Sequence, residues 1–234
     1  VTDRALYDSI AATWPAAQVR SLGPWTLRDG AGAGNRVSAT TATGDVTARD
    51  IDQAEAAGSN LFMLRPWEGA LDAELDARGY ALKDPTLLMT APVDRVTPPR
   101  PAPFGAFTIW PPMESQIEVW EAGGIGPERR AVMDRVTTPK TAIMGRAGNR
   151  VAGAAFAAID RDTAMIHAVE VTQDSRRQGV AHKMMGRAAI WAQDEGASTF
   201  AILVTRQNTA ARALYASLGL TVVGHYHYRF KATP

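Results

Sequence analysis

Residues 176–181 read Arg176-Arg177-Gln178-Gly179-Val180-Ala181: two cations, a glycine and a second small residue, placed just ahead of a run with helical spacing. In that run Val180, Met184, Ala188 and Trp191 recur at intervals of three and four and make one apolar face. The first turn of a helix carries backbone N–H groups without internal partners, and its dipole favours negative charge. Small residues at 179 and 181 let a ligand come close to the main chain, and the arginines add positive potential. The combination is a cradle for phosphate. It lacks the Lys-Ser/Thr of a P-loop and the three glycines of a dinucleotide turn.

A strand must lead into such a turn and a helix must leave it. The strand is "TAMIHAVEV" (163–171), and the helix spans 180–195. Upstream, "KTAIMGRAG" and "RVAGAAFAAID" read as two strands about a turn at Gly148-Asn149, preceded by a helix over 126–136. Downstream, 199–205 reads as a buried strand. Residues 209–219 read as a short helix closed by Gly219, and "TVVGHYHYRFK" as one or two strands. The order is β-β-β-α-β-α-β, an α/β pattern.

The Arg-x-x-Gly-x-Ala turn after "VEV", the strand "FAILVT" and the tail "NTAARALYASLGL", in that order, resemble the GCN5-related N-acetyltransferases (the GNAT superfamily) over residues 115–231. The resemblance implies a mixed central sheet with flanking helices. It also implies acetyl-CoA as co-substrate and transfer of an acetyl group to a primary amine by direct attack in a ternary complex. Residue by residue, backbone groups of Val169 and Val171 would bind the pantetheine arm, and the Val169 amide would polarise the acetyl carbonyl. The turn Arg176, Arg177, Gln178, Gly179, Val180 and Ala181 would hold the pyrophosphate, with alanine at 181 where the family usually has glycine. Asn208 would contact the cofactor arm, and Tyr215 would protonate the leaving thiolate. An acyl-CoA-binding module without catalysis, on the same fold, is the alternative.

The chemistry asks for the same parts. Acetyl transfer to an amine needs a neutral nucleophile, stabilisation of a tetrahedral oxyanion and a proton for the departing sulfur. A tyrosine, with a reference pKa of about 10, can serve a thiolate whose thiol titrates near roughly 8.5. The plainer roles are a core aromatic for Tyr215 and an N-cap for Asn208. For the base, strict alternation puts Met165, His167, Val169 and Val171 on one face of their strand and Glu170 on the other. That favours His167, with Glu170 acting through water as the alternative and a buried, hydrogen-bonded histidine as the structural reading. Many family members place a glutamate two residues before His167, where this chain has Met165. His182, His225 and His227 have no evident third ligand, so no metal is expected.

The first half is less regular. Residues 3–13 and 47–57 read as helices. "WTLRDG" and "RVSATTA" read as strands joined by the turn "DGAGAGN". Shifted by 140 residues, "LFMLRPWEGALDAELDARGYAL" (61–82) faces "AILVTRQNTAARALYASLGLTV" (201–222), with Gly79 on Gly219. Internal duplication explains this, and so does the general likeness of strand–helix–strand units. Leu75 faces Tyr215 and Glu68 faces Asn208, so a duplicated first half has neither cradle nor acid and serves to shape or support the second. The boundaries read as an α/β domain over 1–95, a proline-rich linker over 96–106 and the acetyltransferase domain over 107–234, a tandem in outline.

Composition sets the remaining bounds. Of 234 residues, 46% are hydrophobic and 21% charged, the usual balance for a globular protein. A net charge of +1 gives no footing for nucleic acid. No apolar run reaches the roughly 18 residues that span a bilayer. There is no cysteine, which removes disulfides and thiolate chemistry and fits a cytoplasmic setting. The acceptor is expected to be a small-molecule amine or the amine of a peptide or protein.

Overall fold

The computed structural model describes residues 4–98 and 105–232. The chain begins α1 (Arg4–Thr13), β1 (Gln18–Leu22), β2 (Trp25–Asp29), α2 (Asn35–Ser38), β3 (Thr41–Ala42), α3 (Ala48–Ala56), β4 (Leu61–Leu64), α4 (Gly69–Ala77), β5 (Ala81–Pro92) and α5 (Val93–Val96). It continues β6 (Ala106–Ile109), α6 (Glu114–Ala122), α7 (Pro127–Arg135), β7 (Lys140–Ala147), β8 (Arg150–Asp160) and β9 (Thr163–Val171), and closes α8 (Val180–Asp194), β10 (Thr199–Thr205), α9 (Thr209–Ser217) and β11 (Thr221–Phe230). Most of the proline-rich segment, residues 99–104, lies outside the described residues.

Eight strands form one mixed sheet in the order β4-β11-β5-β10-β9-β8-β7-β6, parallel at β9–β10. A second sheet, β1-β2-β3, meets β4 through a parallel bridge between Thr40 and Phe62. On one face of the large sheet lie α8 and α9. Val180, Met184, Ala188 and Trp191 join Ile143, Ile166, Phe200 and Tyr215 there in the largest core cluster. The helical stripe read from sequence is therefore the buried stripe. Burying each such large apolar side chain contributes on the order of 1.5–3 kcal/mol. Two glycines let α8 settle onto the strands: a Cβ on Gly145 or Gly153 would stand 2.5 Å from the Met184 sulfur. The opposite face packs α6, α7 and Trp14 over β7–β9, and α1 over β4, β11, β5, β10 and β9.

The shift of 140 residues is built into the hydrogen-bond register. His227 pairs with Leu64, and the same shift turns that pair into Leu87 and Val204, which also pair. Arg229↔Phe62 becomes Met89↔Ile202, and in the central pair Thr221↔Thr90 becomes Ala81↔Phe230. Similar sequence alone does not impose reciprocal register, so the two strand–helix–strand units are related by an approximate twofold axis between β5 and β11. Each unit places its last strand beside the other's: β11 lies between β4 and β5, and β5 between β11 and β10. The β-β-β-α-β-α-β order of the second half recurs as β1-β2-β3-α3-β4-α4-β5.

Two expectations change. "RVSATTA" is not a strand after a hairpin turn: Asn35–Ser38 form a helical turn, and only Thr41–Ala42 pair with β2. The loop before it holds Ala31, Gly32 and Gly34 at positive φ, and Asp29 Oδ1 accepts from the Ala31 amide at 2.8 Å. This curls the chain over Val37, which is fully buried. Residues 114–122, which carry no helical expectation, form α6, whose Trp120 is wholly buried and donates from Nε1 to the Ala168 carbonyl at 2.8 Å.

Candidate active site

The turn before α8 has the properties its composition predicts. Arg177 adopts φ +63 and Gly179, the N-cap, φ +76; no side chain caps the helix. Among the described residues no acceptor bonds the amides from Arg177 to His182, and the first bond of the helix runs from the Lys183 amide to the Gly179 carbonyl at 3.1 Å. Residues 176–179 are exposed, while Val180 anchors the helix in the core. A Cβ on Gly179 would meet nothing within 4 Å, so the open space there belongs to a ligand or solvent, and glycine is required by its φ. Arg176 turns back: its Nε donates to the Val171 carbonyl and its Nη2 to Glu170 Oε1, both at 3.1 Å. Gln178 braces the turn by donating to the Asp174 carbonyl at 2.9 Å.

Beside this turn the sheet opens. The β9–β10 ladder runs only from Thr163↔Thr199 to Ile166↔Ile202, although β9 continues to Val171 and β10 to Thr205. From His167 onward β9 keeps β8 on one edge and has no strand on the other. The cause is a bulge: Ala154 pairs with Glu170 and Phe156 with His167, so two residues of β9 oppose one of β8, and Ala168 sits at φ +51. The bulge also resets the alternation, which overturns the expected faces. Val169 and Val171 pack with Ile166 on the α8–α9 side, whereas His167, Ala168 and Glu170 lie on the α6 side. Glu170 sits against the end of α6, where a Cβ on Gly123 would come within 2.4 Å of its Cγ.

His167 is 3% exposed, and both ring nitrogens are engaged. Arg36 lies 3.0 Å from Nδ1 and, having only donors, fixes that nitrogen as acceptor. Nε2–H then donates to Thr13 Oγ1 at 2.9 Å, and Thr13 donates onward to the Ser9 carbonyl at 2.6 Å. The Trp14 ring stacks at 5.0 Å. Burial, then the Arg36 charge, hold the imidazole pKa well below its usual value. This is the structural reading of that residue: a neutral histidine joining the second half to α1 and α2, with no free nitrogen to receive a proton. His227, another of the histidines considered, bonds Asp72 at 2.9 Å, and Arg229 shares that carboxylate.

Tyr215 is 5% exposed in the α8–α9 core, and burial pushes its pKa up to about 12. It stays protonated across the neutral range, with no hydrogen-bond partner for its hydroxyl among the described residues. Asn208 caps α9, its Oδ1 accepting from the Ala211 amide at 3.0 Å, and the side chain remains exposed at the end of β10.

Comparison with known proteins places this site within a recognised family pattern and fold. The sequence model of the Acetyltransferase (GNAT) family covers residues 109–220. That segment is similar to the GNAT family. The chain is 25% identical over 238 residues to the uncharacterized N-acetyltransferase YobR of Bacillus subtilis (strain 168), spanning 94% of this chain and 95% of that one. A GCN5-related N-acetyltransferase from Kribbella flavida shares the fold over 100% of this chain and 96% of its own, with a TM-score of 0.72 at 17% identity. A tandem GNAT protein from the clavulanic acid biosynthesis pathway matches 90% of this chain and 79% of its own, with a TM-score of 0.55 at 14% identity. Residues 109–220 thus match an acetyltransferase family, and the fold of the Kribbella flavida protein extends over the whole chain, first half included.

Residues with no signal in the sequence also reach this site. Arg36 lies in a loop-bound turn, Arg129 on α7 and Asp84 in β5, far apart in the chain. The curl over Val37 brings Arg36 to His167, and Asn35 of the same turn bonds Asp84.

Proposed function

We propose that the protein transfers the acetyl group of acetyl-CoA to a primary amine by direct attack in a ternary complex. The observation that carries this is the run of unpaired amides from Arg177 to His182, exposed beside the β9–β10 opening. Acetyl-CoA is the donor whose diphosphate suits that turn and whose extended arm suits an unpartnered strand edge. The arm lies along Val169 and Val171. The Val169 amide polarises the acetyl carbonyl, and Tyr215 donates a hydrogen bond and then a proton to the sulfur. Asn208 borders the arm while capping α9. The amine enters from the α6 side, and Glu170, which the bulge turns to that side, receives its proton directly or through water. His167 holds Arg36 and the strand end and takes no proton. The first half supplies β4 and β5 to the sheet and walls the acceptor side. We place the enzyme in the cytoplasm, acting on a small-molecule or peptidyl amine, with no nucleic-acid or membrane partner.

Calorimetry of the full chain with CoA, ATP and NAD tests the donor. CoA is expected to bind at least tenfold more tightly than either nucleotide, and equal affinities would remove the reading. Glu170→Gln should lower kcat with little change in CoA affinity, while His167→Gln should leave the acid limb of the pH–rate profile in place. Loss of that limb in His167→Gln would return the base role to the histidine.

A further inference from the structure

Two arginines of the acceptor side have no anionic partner. Arg36 bonds only the neutral His167 and lies 5.8 Å over the Trp14 ring. The side chain of Arg129, on α7, has no hydrogen bond or ion pair among the described residues, while its neighbour Arg130 holds Glu121 at 2.6 Å. The Nε atoms of both Arg36 and Arg129 are buried and unbonded. The two cations feel each other, since burial and then the Arg36 charge lower the pKa of Arg129. Two desolvated, mutually repelling guanidiniums are costly in an empty protein, and an anion between them offsets that cost.

Their place is defined by the strands. Arg36 touches His167, where β9 parts from β10. Across the opening, Thr205 at the end of β10 pairs with Thr86, two residues from Asp84. Asp84 accepts from Asn35 Nδ2 at 2.8 Å and pairs with neither arginine, at a strained φ of +47. Val37, next to Arg36, packs with Val132 and Met133 of α7 in one core cluster, which sets α2 against the helix that carries Arg129. Glu170 faces the same side.

We infer that the acceptor amine also carries a carboxylate, and that Arg129 and Arg36 bind it on the α6–α7 side of the β9–β10 opening. This rests on the acyl-transfer reading and names its substrate class. A guanidinium matches a planar carboxylate with two parallel hydrogen bonds, and a half-buried pair of them selects against a neutral analogue.

The test uses the full chain with acetyl-CoA. CoA release is measured with L-amino acids, their primary carboxamides, the decarboxylated amines and O-phosphoethanolamine. The free acids should exceed carboxamides and plain amines in kcat/KM by about tenfold or more. Arg129→Gln should raise KM for the acids by about ten- to a hundredfold and leave the carboxamides within about twofold. Equal turnover of acids and carboxamides, equal damage to both by Arg129→Gln, or a preference for the phosphoamine would each overturn the inference. If no amine in the panel reacts, titration of the protein, with and without CoA, by N-acetyl amino acids and their amides decides it. Tighter binding of the acids, lost in Arg129→Gln, supports the site, and equal binding ends it. Failure of CoA to bind strikes the donor reading; bound CoA with no preference for acids strikes this inference alone.

Discussion

The two halves repeat one topology, and their equivalent openings are finished differently. In the second half the strands part with no side chain among the described residues bonding across; in the first half the chain at Thr40 meets β4 at Phe62, and the side chain of Arg65 crosses the gap beyond. Its guanidinium donates to the Ala42 carbonyl and pairs with Glu68, whose side chain is nearly buried. The helix N-termini diverge in the same way. Before α3, Thr47 accepts from the Asp50 amide while Asp50 accepts from Thr47, so this helix start carries its own carboxylate. Before α8 stands an uncapped Gly179. Leu75 occupies the place of Tyr215, and Glu68 that of Asn208. One fold thus yields a ligand-ready opening where its polar groups are left unsatisfied, and a structural one where side chains satisfy them. A 760 Å³ hollow does flank the first-half opening, but Arg65 and Glu68 occupy its wall and bond each other.

The comparison can be broken most severely at Tyr215. Tyr215→Phe should cut kcat by about a hundredfold or more with CoA affinity nearly unchanged, while Leu75→Met should leave turnover at the wild-type level. Steady-state kinetics with calorimetry on both variants decides it, and equal turnover in Tyr215→Phe removes the acid. Next comes the plug. Arg65→Ala strands the Glu68 carboxylate and should cost about 3 kcal/mol in denaturant unfolding, with Arg65→Met/Glu68→Gln recovering most of it. CoA binding should be unaffected in both. Third, His182→Asp gives α8 at its third position the carboxylate that α3 carries at Asp50. CoA should then bind about thirtyfold more weakly, with the fold intact by circular dichroism.

A smaller effect reports the seam between the halves. The folded pKa of His167 is depressed, so below about pH 6.5 the unfolded chain takes up a proton that the folded one refuses. The stability it contributes is therefore complete above that pH and declines as pH falls below it. His167→Gln keeps an acceptor and a donor for Arg36 and Thr13, and should lose correspondingly less stability between about pH 7.5 and 5. Parallel urea titrations of the two proteins show whether it does. An isolated 104–234 fragment is a poor probe of the first half's role, because it would strip β11 of both neighbouring strands.

Local signals were enough for the elements that make up the second half. Period-two and period-3.6 apolar patterns placed β7 to β11, α8 and α9, Gly219 closed α9 at φ +89, and Arg176–Ala181 marked the cradle. These features depend on neighbours within a few residues, which a sequence displays directly. The 140-residue shift was visible too, but only reciprocal strand register separated duplication from the general likeness of such units.

Tertiary structure decided the rest because it depends on partners distant in the chain. The bulge at Ala168 arises from pairing with β8, and it carried Glu170 to the acceptor side and His167 into a buried bond with Arg36. No pattern in "TAMIHAVEV" marks where alternation slips. Arg36, Arg129 and Asp84 are ordinary surface types in sequence. The buried, unbonded Nε atoms of the two arginines come from packing α2 and α7 against the sheet. Residue types and short spacings fixed which chemistry this chain can hold; the direction each group faces, and the charges left unpaired, followed from long-range burial.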